Sequence, residues 1–214
     1  LQAKLRFPDS DAEVASAWET SPDAVAVLSS GGKDSLLTFG LLDEIGCEVH
    51  PLFVNESGRH WFTALNAWRH FKSEVPHAAK VWTNSDRLFV WMLAHLPFVR
   101  KDHARVRSDI YPVRLWTVPV FIFGVLPLVR RHRIGRLTIG NEFDSSSRQS
   151  HSGITHYAAV YDQSRWFDDA LTRYYQRKKW NITQFSILRP LSELLIEKVL
   201  TERYPWLQKL QMSC

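Results

Sequence analysis

The sequence predicts an α/β protein, a three-layer sandwich built on a mainly parallel sheet of about five strands. Two observations lead there. Short β-branched runs alternate with helical stretches along the chain, the pattern of strands joined by crossover helices. The first strand, Val25 to Leu28, breaks at a Ser-Gly-Gly turn and resumes with Leu36, Leu37, Leu41 and Leu42 at helical spacing. A chain of 214 residues can bury one good core, so a single domain over 1–214 is expected.

Taken in order, Asp11 to Trp18 reads as a short helix leading into the central strand Val25–Leu28, and Gly46 marks the end of the helix after the turn. Glu48 to Val54 is the second strand, weakened by Pro51. Trp61, Leu65, Trp68 and Phe71 stripe the next helix, Lys80 to Thr83 is a third strand, and Asn84-Ser85-Asp86 opens a helix running through Leu93. The charged stretch 97–112 reads as an insertion or lid. Leu115 to Val129 is apolar but holds Pro119, Gly124 and Pro127 and is too short to span a bilayer, so a kinked core helix is expected and no membrane partner. Leu137 to Ile139 is the fourth strand, followed by a Ser-rich loop from Ser145 to Ser152. Phe167, Leu171, Tyr174 and Tyr175 mark an amphipathic helix. The last helix starts at Pro190, with Leu191, Leu194, Leu195 and Val199 inward, and stops before Pro205.

The chemistry concentrates at Ser29-Ser30-Gly31-Gly32-Lys33-Asp34-Ser35. A strand, a tight glycine loop and a helix start bring backbone N–H groups onto one point, where the helix dipole favours an anion. Gly31 and Gly32 allow close backbone approach, Ser30 and Ser35 add hydroxyl donors, Lys33 a cation, and Asp34 a cap for the loop or helix start. The expected ligand is a phosphate chain. Two further polar clusters fall at strand ends, Asn55-Glu56-Ser57-Gly58 and Gly140-Asn141-Glu142-Phe143-Asp144, and that edge of a parallel sheet is where a shared site forms. Glu142 and Asp144 offer oxygen ligands to Mg²⁺, although Asp144 equally suits a turn or helix cap. His156 is a candidate base or a hydrogen-bonded structural residue. The spacing of His151 and His156 is wrong for a metalloprotease helix and no cysteine accompanies them, so no zinc site is expected.

The Ser-Gly-Gly-Lys-Asp-Ser run lacks the Walker A pattern and resembles the PP-loop of the N-type ATP pyrophosphatases, whose motif is Ser-Gly-Gly-x-Asp-Ser. The resemblance implies an adenine nucleotide alpha hydrolase-like fold and ATP, with Mg²⁺, cleaved to AMP and pyrophosphate. On it, Ser29 to Ser35 bind the nucleotide, with Lys33, Asp34 and Ser35 catalytic. Pro112-x-Arg114 and Thr138-Ile139-Gly140-Asn141 are similar to the deazaguanine synthase branch, with Leu115 where that branch has Asn. Asn141-Glu142, His156-Tyr157 and the Ser164, Phe167, Leu171 helix look more like the UDP-muramoyl-dipeptide epimerase branch. Both branches work on adenylated carboxylates, so the expected reaction is adenylation of a small-molecule carboxylate, with Arg114, Asn141 and His156 on the substrate side. The alternatives are glutamate epimerisation, a tRNA-modifying enzyme, and a non-catalytic nucleotide-binding module.

Composition narrows this further. With 45% apolar and 23% charged residues, the proportions are those of a globular protein. Two cysteines, Cys47 and Cys214, exclude a disulfide framework and fit a reducing cytoplasm. Cys47 reads as structural. The start at Leu1 and the stop at Cys214 suggest a domain cut from a longer chain, in which Cys214 would begin a metal site beyond the cut. A net charge of +5 and nine tryptophans suit anionic partners, tRNA among them, while core aromatics beside solvated basic faces account for the same composition.

Overall fold

A computed structural model describes residues 16–56, 60–97, 117–157 and 161–212. Its elements are β1 (Ser21–Ser29), α1 (Lys33–Glu44), β2 (Glu48–Asn55), α2 (His60–Glu74), β3 (Ala79–Trp82), α3 (Ser85–His95), α4 (Thr117–Arg131), β4 (Ile134–Thr138), β5 (Arg148–His151), β6 (Ile154–Tyr157), α5 (Arg165–Arg177), β7 (Thr183–Phe185), α6 (Glu193–Arg203) and α7 (Pro205–Gln208). The five-stranded sheet runs β3-β2-β1-β4-β7, and every pairing in it is parallel. β1 is central, as expected from its β-branched run, and its residues Ala24 to Val27 are fully buried.

Alternation along β1 sends side chains into two cores. Val25 and Val27 pack with Leu36, Leu37 and Phe39 of α1, Phe71 of α2, Ile196 and Leu200 of α6 and Leu207 of α7. Ala24 and Ala26 face Ile122, Val125 and Val129 of α4 and Leu171 and Tyr175 of α5. Helices on both faces of a parallel sheet make the three-layer sandwich. Pro51 is tolerated inside β2 because β3 joins that strand only from Leu52 onward, so no second ladder needs its missing N–H. α4 carries Pro127 within it, and among the described residues no helix is long and apolar enough to cross a membrane.

Several expected elements differ. The helix expected over Asp11 to Trp18 lies mostly outside the described residues, and 16–20 is not helical. Most of the proposed 97–112 lid, and Leu115, also lie outside. The expected Ser-rich loop contains an antiparallel hairpin, β5–β6, turned by Ser152 and Gly153 at φ 50° and 81°, the two successive positive values of a type I′ turn. The last long helix begins at Glu193, not Pro190, because Ser192 caps it by accepting the Leu195 N–H. Leu194 and Leu195 therefore face solvent, and Ile196 and Leu200 are the buried pair.

Candidate functional site

At the end of β1 the chain turns through Gly31 at φ +78°, where it passes so close to α2 that a Cβ would stand 2.8 Å from the Thr63 carbonyl oxygen. Only glycine fits there, and this fixes the path into α1. No side chain caps the start of α1 at Gly32, so its first-turn amides face the loop. Hydroxyls brace the turn from inside: Ser29 Oγ lies 3.0 Å from Ser35 Oγ and accepts the Gly31 N–H, while Ser35 Oγ donates to the Gly32 carbonyl. Lys33 Nζ sits 3.3 Å from Asp34 Oδ2 and 3.2 Å from Glu193 Oε1 at the start of α6. Burial lowers the Lys33 pKa, but these two carboxylates outweigh it and hold the ammonium above its ordinary value.

The second wall of the site comes from the end of β4. The strand order reverses between β1 and β4, and this switch point is where parallel sheets open a crevice beyond the strand ends. The cleft there is lined by Leu28, Ser30, Gly32, Asp34, Gly140 and Asn141, with Val118 of α4 and Gln163. It adjoins a more apolar cavity of about 200 Å³ bounded by Leu28, Leu52, Val54, Ala64, Phe121 and Ile139, with the buried Glu56 at its edge. A polar loop pocket joined to an apolar one matches a ligand with a phosphate chain and a flat heterocycle.

The loop after β4 is laced to the segment after β7. Asn141 donates its N–H to Ser186 Oγ and accepts the Ser186 hydroxyl at its carbonyl. Phe143 N–H donates to the Leu191 carbonyl, and Asp144 Oδ2 accepts the Glu193 N–H at 2.7 Å. Arg189 donates to Ser145 Oγ, to the Gln163 carbonyl and to Asp168 Oδ2, the last at 2.7 Å. Asp168 in turn accepts from Gln184, which accepts the Tyr175 hydroxyl. The sequence offered no sign of Ser186, Arg189 or Glu193, because these links join residues between 21 and 49 positions apart.

This lacing leaves two polar atoms buried at the cleft without a hydrogen-bond partner, Asp34 Oδ1 and Asn141 Nδ2. Native structures rarely leave such groups unpaired without a ligand to meet them. Burial pushes the Asp34 carboxyl above its ordinary value; Lys33 pulls it back, and the Glu142 charge pushes it further up. Glu142 thus lies within electrostatic reach of the loop. Asp144 spends one oxygen capping α6. His156 sits exposed on the hairpin opposite Gln149, and neither pocket takes a lining residue from that hairpin. Arg114 and Cys214 lie outside the described residues. Cys47 is a free, partly buried thiol packed against the core.

The arrangement of β1, loop, α1 and the end of β4 now fixes the architecture. The fold is an adenine nucleotide alpha hydrolase-like α/β sandwich on an all-parallel sheet. Among solved structures the chain is similar to NcsA, a U34-tRNA thiolase from Methanococcus maripaludis carrying a 4Fe–4S cluster, with a TM-score of 0.53 and 14% identity. That match covers 90% of this chain and 60% of NcsA, so the chain spans about three fifths of its neighbour's length. A protein described as a predicted tRNA methyltransferase subunit from Methanocaldococcus jannaschii aligns at a TM-score of 0.45 and 19% identity, over 84% of this chain and 74% of that one. No protein-family model and no curated protein matches the sequence. The loop from Ser30 to Ser35 lies at the head of α1 and the edge of the switch-point cleft.

Proposed function

We propose that the protein is an ATP pyrophosphatase that transfers AMP to an oxygen of its substrate and releases pyrophosphate. The observation that carries this reading is the uncapped head of α1 beneath the Ser29–Ser35 loop, opening beside an apolar cavity sized for a base. In it, the first-turn amides and the Ser30 and Ser35 hydroxyls hold the β- and γ-phosphates, and Lys33 turns from Glu193 to the same oxygens. The Asn141 amide donates to the α-phosphate or to the acceptor. The substrate oxygen attacks the α-phosphorus, the bond to the bridging oxygen breaks, and its electron pair leaves with pyrophosphate. Glu142 and Asp34 would hold Mg²⁺, which would supply neutralisation of the developing charge; Asp144, with one oxygen committed to α6, is the weaker of the two ligands expected from sequence.

For the acceptor we favour a tRNA base over the small-molecule carboxylate. NcsA, over whose fold 90% of this chain superposes, is a tRNA thiolase. The chain also gathers cations at the sheet edge opposite the cleft: Arg130 and Arg131 end α4 with Arg133 just beyond, and Arg177 ends α5 with Lys178 and Lys179 following it. Trp18 and Trp180 stack between these two groups at 4.9 Å, and the Arg130 guanidinium lies over Trp18. A strand of nine residues, about 30 Å, separates them from the cleft, a span that a folded RNA bridges and a small acid does not.

Labelled ATP incubated with tRNA transcripts or with a panel of carboxylic acids tests both parts of this reading. AMP and pyrophosphate released only with tRNA are expected, with binding that weakens steeply as salt rises. ADP and phosphate would overturn the adenylation chemistry, and pyrophosphate released only with an acid would return the acceptor to the carboxylate class. Asp34→Ala and Ser35→Ala are expected to abolish turnover and leave the melting temperature within a few degrees.

A further inference from the structure

At the sheet edge opposite the cleft, three residues from two chain segments bring metal-ligating atoms together. Glu48 and His50 lie two apart at the start of β2, so strand periodicity points both to one face. His77 comes from the turn between α2 and β3. One ligand atom from each of Glu48, His50 and His77 lies within 4.8 Å of the other two, and Glu48 Oε1 is already 2.8 Å from His50 Nε2. The His77 ring stands 4.6 Å from the His50 ring, and His132, at the end of α4, closes the group at 5.5 Å.

His50 supplies a second, separate observation. It is 1% exposed, and its Nδ1 is buried with no hydrogen-bond partner. A buried imidazole nitrogen left unpaired is unfavourable. Hydrophobic packing alone places Leu, not His, at the corresponding position two residues on, Leu52. The other ring nitrogen, Nε2, is the one beside Glu48, so the imidazole is held with Nε2 toward the cluster.

We infer that Glu48, His50 and His77 form a binding site for one divalent transition-metal ion, taken by Zn²⁺. Two imidazoles and one carboxylate are a borderline donor set that suits zinc and not Mg²⁺ or Ca²⁺. Zinc–ligand distances of about 2.0–2.2 Å require ligand atoms about 3.3–3.6 Å apart, so the Glu48–His50 pair, at 2.8 Å, opens and the remaining separations, within 4.8 Å, close to accept the ion. Water takes the fourth position, reached from the exposed side of Glu48 and His77. The ion pins the 76–77 turn to the first residues of β2, at the far end of the sheet from the Ser29–Ser35 loop. The expectation from sequence that no zinc site exists considered only His151 and His156; Glu48, His50 and His77 form no short-range motif and meet only through the fold.

The test uses the full chain, stripped with EDTA and titrated with ZnCl₂ by calorimetry and by thermal melting. One Zn²⁺ per chain with sub-micromolar affinity and a raised melting temperature is expected, as is an intense visible d–d spectrum of tetrahedral type when Co²⁺ replaces it. Because His50 is buried, the variants are the exposed ligands: His77→Ala and Glu48→Gln should each weaken zinc at least tenfold while leaving ATP turnover unchanged. Substoichiometric binding, or affinity that both variants leave untouched, would overturn the site.

Discussion

Gly140, just past the end of β4, lies directly against Asp34: a Cβ at Gly140 would stand 2.6 Å from the Asp34 Cβ and 2.8 Å from its carbonyl carbon. The segment after β4 and the first turn of α1, which wall the cleft, are thus in close contact, although more than a hundred residues separate them. Gly140→Ala must push the first turn of α1 away from β4. Overpacking of this kind costs about 1–3 kcal/mol in stability, and a displacement approaching 1 Å at a reacting group costs about a hundredfold in rate. A melting temperature lowered by several degrees with a far larger fall in AMP formation is expected; a melting loss with unchanged turnover would show that the contact positions nothing.

Lys33 is held by Glu193 as well as by Asp34, so the nucleotide must compete with a carboxylate for the ammonium. The Glu193 side chain is 66% exposed, and such pairs contribute about 0–1 kcal/mol. Glu193→Gln should therefore lower KM for ATP by up to about fivefold and leave kcat nearly unchanged. Equilibrium dialysis with a non-hydrolysable ATP analogue measures the same shift directly, and weaker binding would mean that Glu193 contacts the nucleotide or its metal.

How far the sequence reached follows from the range of the interactions involved. The strand, loop and helix from Val25 to Leu42 were legible because glycine spacing and local periodicity specify them within twenty residues. The edge strand β7 was not: Thr183–Phe185 is three residues long, and it is held by Thr172 of α5, which exchanges hydrogen bonds with the Gln184 backbone. The hairpin was legible in principle through Ser152-Gly153, but the serines around it read as a loop. Asn141 was found through its strand-end position, whereas its clamp Ser186 and the Arg189 hub were hidden, since a lone serine or arginine carries no local signal. Helix α6 starts three residues later than expected, at Glu193 behind its Ser192 cap, and Leu194 is exposed, not buried.

Ser186 holds Asn141 through both its backbone groups and carries no other part in the cleft. Removing the hydroxyl in Ser186→Ala breaks these two bonds and the one it accepts from the Leu188 N–H, and leaves the Asn141 N–H to its remaining bond with the Ile139 carbonyl. The stability loss is expected at about 1–2 kcal/mol. Because the Asn141 amide loses its fixed aim, AMP formation should fall tenfold or more, and Ser186→Thr, which keeps the hydroxyl, should recover most of it. Equal losses in both variants would assign the effect to packing.

Glu44, at the end of α1, ties that helix to α6 and α7. It accepts from the Arg203 guanidinium and from the Tyr204 hydroxyl, and these two bonds hold its carboxyl below the ordinary value of 4.5. The unfolded chain therefore binds a proton at Glu44 more readily than the folded chain does. Its stabilisation is complete above the unfolded pKa and is lost as pH falls through the folded one, so the slope of stability against pH is positive in the acid range. Urea denaturation from pH 6 down to pH 3 should show a steeper loss for the native chain than for Glu44→Gln, with the two curves converging at the acid end. Salt should reduce the difference, because the pair is solvent-exposed. Parallel curves across that range would mean that the α1–α6 junction is held by the Leu36, Ile196 and Leu200 core alone.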